Sequence, residues 1–144
     1  MSDILINEVT NPDDRKACFS IRVEVFCVEQ RVNRAIEFDG MDDQCRHYIA
    51  TYKGNCVGTA RTRQLNDTEV KFERVAVLRE HRKNGIGRLL MARAMSDAVH
   101  AGYRRAVLNS QVHAGPFYEK LGFRFEGDVF LEAGIPHRSM SKEL

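Results

Sequence analysis

The sequence predicts a mixed α/β domain on one sheet, mostly antiparallel with a single parallel step. Three observations predict it. Residues 47–77 carry three strand signals in succession, separated by short polar turns. The apolar run Val75-Ala76-Val77 leads through a basic, glycine-bearing segment into a helical pattern, and the wholly apolar Ala106-Val107-Leu108 follows. A strand, a helix and a buried strand in that order make a parallel, right-handed unit. The chain ends in a second antiparallel pair around Gly134-Ile135-Pro136.

Each element has its own signature. Ile4 to Val9 alternates and reads as a first strand. Asn11-Pro12-Asp13-Asp14 starts a helix: Asn caps, Pro suits the first turn, and two acids meet the positive dipole end. That helix is expected to reach about Val28, burying Ala17, Ile21, Val25 and Val28. Residues 31–46 lack a period and read as a solvated acidic loop with Glu37, Asp39, Asp42 and Asp43, lining the site. Their spacing misses the EF-hand pattern. His47 to Tyr52 and Cys56 to Gln64 form a hairpin around Lys53-Gly54-Asn55, and Glu69 to Val77 adds a strand. After the glycines, Leu90, Met91, Ala94, Met95 and Ala98 line one helical face, and Gly102 stops the helix. Pro116 opens a short helix ending near Leu121, with Gly122 behind it. Phe123 to Phe130 and His137 to Lys142 are the last two strands.

Composition bounds the function. The 144 residues are expected to form one domain, 1–144, with 43% apolar and 29% charged residues, as in a soluble globular protein. A net charge of +2 is too small to argue for nucleic acid or a membrane surface. No apolar run approaches 18 residues and no signal-peptide pattern opens the chain, so a cytoplasmic location is expected. Cys18, Cys27, Cys45 and Cys56 make no Cys-x-x-Cys, so no metal is expected and the thiols should be free.

The segment Arg82-Lys83-Asn84-Gly85-Ile86-Gly87 carries the first functional signal. Gly85 and Gly87 let backbone N–H groups approach an anion, at a helix N-terminus where the dipole favours negative charge. Arg79, Arg82, Lys83 and Arg88 surround it. There is no GxGxxG, and no Lys-Ser or Lys-Thr follows the glycines, so dinucleotide and P-loop sites are disfavoured.

The run RVAV…RKNGIGRLLM resembles motif A of the GNAT acetyltransferases, Arg/Gln-x-x-Gly-x-Gly/Ala after the fourth strand. Phe117-Tyr118-Glu119-Lys120-Leu121-Gly122-Phe123 resembles their second signature, in the usual order and separation. The segment Val25 to Gln30 and the ending Gly134-Ile135-Pro136-His137 with Met140 look like the ElaA/YjcF-like subgroup of small bacterial enzymes. The ending and several site positions are also similar to glyphosate N-acetyltransferase. The resemblance implies the GNAT fold: six to seven twisted strands, about four helices, and a parallel fourth and fifth strand that splay apart.

It also implies acetyl-CoA as cosubstrate and a primary amine of a small molecule as acceptor; the alternatives are a catalytically silent CoA-binding sensor or interaction domain, and a protein or peptide lysine acetyltransferase for which the acids of residues 37–43 would line an acidic groove. The pyrophosphate would sit on the amides of Arg82, Lys83, Asn84, Gly85, Ile86 and Gly87. The pantetheine arm would pair with the backbone of Val75, Ala76 and Val77, whose N–H groups would also hold the oxyanion. Gln111, Phe117 and Tyr118 complete the donor site. Tyr118 occupies the position of the general acid. The base has three candidates: His137, where the neighbouring branch places it, Glu73 on the fourth strand, and Glu29. Arg22, Arg74 and Gln111 match positions that touch an anionic substrate in the glyphosate branch, with Glu29 and His137 nearby. That branch has a third arginine where this chain has Gln111, which points to a singly charged carboxylate, as in an amino acid. His47 and Arg61 are candidate pocket residues, with a plain surface role the favoured reading for each. Dimers are common in the family, though nothing in the periodicity demands a homodimer.

Overall fold

Asn11 opens the first helix as its residue type requires, its side-chain oxygen accepting the N–H of Asp14 at 2.8 Å. The computed structural model describes residues 3–144. Its strands are β1 (Ile4–Glu8), β2 (Arg46–Tyr52), β3 (Asn55–Gln64), β4 (Glu69–Val77), β5 (Arg105–Gln111), β6 (Arg124–Glu132) and β7 (Ile135–Glu143). Its α-helices are α1 (Pro12–Arg22), α2 (Arg34–Glu37), α3 (Ile86–His100) and α4 (Gly115–Glu119). The seven strands form one sheet in the order β1-β2-β3-β4-β5-β7-β6, and only the β4–β5 pair is parallel.

Past Arg22 the helix does not stay α-helical. Val23–Glu29 is a π-helix, whose i→i+5 bonds place one more residue in each turn. This shifts the buried face. Cys18, Ile21, Arg22 and Val25 are buried, while Val28 is 59% exposed. Val28 therefore departs from the α-helical spacing that predicted its burial.

Both hairpins at the sheet's tight corners have two-residue turns. Lys53 and Gly54 have φ of 50° and 84°, and Ala133 and Gly134 have 52° and 74°. Two left-handed residues in a row are the type I′ pattern that suits twisted strands. The second turn is thus Ala133-Gly134. Ile135 and Pro136 belong to β7, and His137 pairs with Gln111 and Phe130 inside the sheet.

The opening that positions the site lies between β4 and β5. Their register runs only from Glu69↔Arg105 to Phe72↔Leu108. On the other side of β4, Arg61 pairs with Glu73 but Thr59 pairs with Ala76, so Arg74 and Val75 form a bulge. Arg74 has φ of 57°, unusual for a residue with a side chain. From Glu73 onward β4 has no strand partner towards β5. β5 pairs along its whole length with β7 instead.

Helices cover the central strands from both sides. Ile86, Leu90, Met91, Ala94 and Ala98 of α3 pack on Val57, Ala60, Val70 and Phe72. Ile21 and Val25 pack with Ala76 in a smaller cluster. α4 is seated by a close contact: a Cβ on Gly115 would collide with Cζ of Phe125. Gly115→Ala should therefore push the Phe125 ring and lower stability by about 1–3 kcal/mol, read as a lower midpoint in urea unfolding. An unchanged midpoint would mean that the ring gives way freely.

Candidate active site

The cleft between the diverging strands has a volume of about 510 Å³, within the ordinary range for small-molecule sites. β4 contributes Glu73 to Val77, β5 Gln111, α4 Tyr118, and the β6–β7 hairpin Glu132 and His137. Arg82 stands at its mouth.

The glycine turn leaves backbone donors without a side-chain cap. Lys83 and Gly85 are both left-handed, at φ of 67° and 77°. Gly85 is the N-cap of α3, and no side chain caps that end. The first N–H groups of α3 are thus left free of helix partners. Gly87 has a different role, since a Cβ there would lie 3.3 Å from Cζ of Phe117. The missing side chain lets Phe117 sit on α3, and Phe117 in turn packs edge-on against Tyr118 at 4.9 Å.

Arg82 is already engaged. It grips Glu29 with two bonds of 2.8 and 2.6 Å, and its Nε–H donates to the carbonyl of Val77 at 2.9 Å. Those hydrogen bonds hold the Glu29 carboxyl below its ordinary range. Glu29 is a clamp on Arg82 and does not line the cleft, so it stands apart from the base and substrate roles the resemblance suggested.

The acidic loop is solvated only in part: Asp39 and Asp43 are exposed. Glu37 and Asp42 are buried, and so is Arg22 at 1% exposure. Arg22 donates to Glu37 Oε2 at 2.8 Å and to Asp42 Oδ1 at 2.7 Å. It lies outside the cleft as a structural ion pair, although a substrate contact was expected. Arg61 and His47, read as surface residues, are also buried. Arg61 donates to Asp39, Asp42 and Glu73. His47 Nε2–H donates to the Asp42 carbonyl at 2.8 Å, and burial lowers its pKa. Arg74 lines the cleft, but its guanidinium faces Glu37 Oε2 at 3.1 Å and Asp39 Oδ2 at 3.3 Å.

These pairs set the local acidity. Burial raises Glu37, against the pull of Arg74 and Arg22. Burial would raise Glu73 as well, but hydrogen bonds from Arg63 and Arg61 and the charge of Lys71 hold it at about 2. Tyr118 has no charged partner, and burial raises its hydroxyl to about 12. His137 Nδ1 lies 2.7 Å from the Ile135 carbonyl, which can only accept, so Nδ1–H donates there. Nε2 lies 3.6 Å from Glu132 Oε2, and the ring stacks on Phe130. Gln111 donates to Gln30 at 2.8 Å, joining β5 to the end of the π-helix.

Comparison with known proteins agrees with this geometry. Residues 11–144 match the family model described as an acetyltransferase (GNAT) domain. The chain is a GNAT acetyltransferase. YjcF of Bacillus subtilis (strain 168), named as an uncharacterized N-acetyltransferase, is 37% identical over 134 residues, covering 92% of this chain and 95% of YjcF. The crystal structure of Escherichia coli ElaA superposes with a TM-score of 0.86 at 27% identity, covering 97% of this chain and 99% of ElaA. The GNAT chain thus falls in the ElaA/YjcF-like subgroup. An aminoglycoside 6'-N-acetyltransferase solved with coenzyme A shares the fold, with a TM-score of 0.79 at 18% identity over 96% of each chain. No helix among the described residues is long and apolar enough to cross a membrane, and those residues hold no cluster of metal-ligating side chains.

Sequence reasoning missed Arg63, Lys71 and Glu132, and favoured a surface role for Arg61. A signal was present for three of them. Arg61 and Arg63 alternate on one strand, and Lys71 and Glu73 alternate on the next, so their charges share one face.

Because Glu73 ionises at about 2 in the folded chain and about 4.3 when unfolded, it stabilises the fold fully above about pH 4.5. That contribution is lost as pH falls towards 2. Urea unfolding of wild type and Glu73→Gln from pH 7 to 2.5 should show the two stabilities converging in acid. A constant difference would mean that the arginines do not hold Glu73 ionised.

Proposed function

We propose that the chain moves an acetyl group from acetyl-CoA to a primary amine of a small molecule, by direct attack with both substrates bound. The observation that carries this reading is the uncapped, left-handed turn at Gly85 beside the unpaired edge of β4. A row of free amides suits a diphosphate. A strand edge without a partner suits an amide-bearing arm. The backbone of Val75, Ala76 and Val77 would receive that arm. The amides of Lys83, Asn84, Gly85, Ile86 and Gly87, flanked by Arg82 and Lys83, would receive the phosphates. Phe117 and Gln111 would border the acyl end.

Acetyl-CoA supplies an acetyl group activated as a thioester, and the residues of the chain handle protons around it. His137 Nε2 takes the proton that the attacking amine must shed, with Nδ1–H anchored on Ile135. Tyr118 keeps its proton at neutral pH, since burial raises it to about 12. It directs that O–H at the departing sulfur, where negative charge develops. Glu73, held at about 2, is too weak a base for this work. Backbone N–H groups of the β4 bulge stabilise the oxyanion.

A small acceptor fits better than a basic peptide. Glu37, Asp39 and Asp42, which would have lined an acidic groove, are paired with Arg22, Arg61 and Arg74. The aminoglycoside enzyme of the same fold offers a precedent for a small amine and coenzyme A together.

Two variants test the reading. Tyr118→Phe should lower kcat by about 10²-fold, within the range for general acid–base groups, while calorimetric affinity for acetyl-CoA stays within about 3-fold. Lost affinity with intact kcat would remove Tyr118 from the acid's role. Gly85→Asp puts a carboxylate into the cradle and should abolish acetyl-CoA binding in the same calorimeter. Normal binding would place the phosphate site elsewhere.

A further inference from the structure

The residues matched to substrate-anion contacts are spent. Arg22 is buried on Glu37 and Asp42, Arg74 is held by Glu37 and Asp39, and Gln111 is tied to Gln30. The cleft nevertheless keeps positive charge in reserve, at Arg63 and Lys71. Both line it, and they stand directly opposite each other across β3 and β4. Like charges in that position repel unless an anion lies between them.

The structure supplies half of one. Oε1 of Glu73 lies 3.0 Å from Arg63 Nη2 and 3.3 Å from Lys71 Nζ. Its other oxygen is taken by Arg61. Two cations thus share a single carboxylate oxygen. The Nε–H of Arg63 is shut off from solvent and has no acceptor. A buried guanidinium N–H without a partner is uncommon and calls for one. The surrounding network also counts one positive charge too many. Arg22, Arg61, Arg63, Lys71 and Arg74 face Glu37, Asp39, Asp42 and Glu73.

Where this pair lies sets the length of what it can hold. Lys71 is level with Val107 on β5, while His137 is level with Gln111. Those positions are four residues apart along β5, roughly 13 Å of strand at about 3.3 Å per residue. The lysine stem spans part of that distance. In an α-amino acid the carboxyl carbon lies only about 2.5 Å from the nitrogen, two bonds away. Such a molecule cannot reach both ends.

We propose that the acceptor is an ω-amino carboxylate, a primary amine separated from its carboxylate by a chain of several carbons. Arg63, through the guanidinium N–H groups that Glu73 leaves to the cleft, and Lys71, through Nζ, receive the carboxylate. Glu73 stays behind them as the fixed partner of Arg61. The amine end then lies towards His137 and Tyr118. This assignment rests on the acetyltransferase reading above and names its substrate class.

Coenzyme A release tests it, using acetyl-CoA with 6-aminohexanoate, 8-aminooctanoate, hexylamine, 1,6-diaminohexane and norleucine. The ω-amino carboxylates should show kcat/KM at least 10-fold above hexylamine and norleucine. Lys71→Met and Arg63→Gln should each raise KM for 6-aminohexanoate at least 10-fold, with kcat changed less than 3-fold. Lys71→Arg should restore most of the affinity, which a merely structural lysine would not require. Equal turnover of hexylamine, or a preference for norleucine or the diamine, overturns the proposal while the acetyltransferase reading stands. So does acetyl-CoA binding by calorimetry with none of these amines acetylated. Failure to bind acetyl-CoA at all would overturn the underlying reading instead.

Discussion

The guanidinium of Arg61, buried among Asp39, Asp42 and Glu73, is the interaction on which the cleft depends. It projects from β3, Glu73 comes from β4, and both aspartates come from the segment that follows the π-helix. One side chain therefore fastens an otherwise irregular stretch to the sheet. Arg22 repeats the arrangement from the helix side through Glu37 and Asp42. Charges this deeply buried persist only when paired and hydrogen-bonded, and losing one partner leaves the others exposed to the full cost of desolvation. The wall of the site is held by electrostatics of defined geometry more than by apolar contact. That suits a wall that must stay in place beside a polar opening.

The backbone of β4 turns the same region to a second use. At Arg74 the chain takes a left-handed conformation and the ladder to β3 slips by a residue. The bulge points Arg74 towards Glu37 and Asp39. It begins where pairing with β5 has ended. The acceptor wall and the unpaired edge offered to the donor thus arise within a few residues of each other. A short turn at Arg79–His81 leads from that edge to α3, whose first amides carry no side-chain cap.

Much of this was legible in the sequence. The succession of elements along the chain, the parallel step, the glycine turn and Tyr118 after Pro116 follow from local patterns, and both GNAT signatures are local. What stayed hidden depends on contacts between distant segments. Residues 31–46 look solvated because their acids are adjacent in sequence, while the arginines that draw them inward lie on α1, β3 and β4. Arg61 looks like a surface residue for the same reason. His137 was placed near a turn because Gly134-Ile135-Pro136 reads as one, yet Pro at a strand's second residue is tolerated where no ladder donor is needed there. The fate of Arg22 could not be read from its match to another branch, because that match says nothing of Glu37 and Asp42.

The π-helical turn at Val23–Glu29 bears on which changes of length the molecule can take. With close to one more residue per turn than an α-helix, it resembles an insertion absorbed without lengthening the element. Its far end sends Glu29 to Arg82 and Gln30 to Gln111, reaching both banks of the groove. Removing one residue within the turn would close it to an α-helical pitch and keep the segments on either side in register, so both bridges would hold. The same deletion in α1, which has no slack to lose, would rotate everything beyond by roughly 100° and swing both bridges away together.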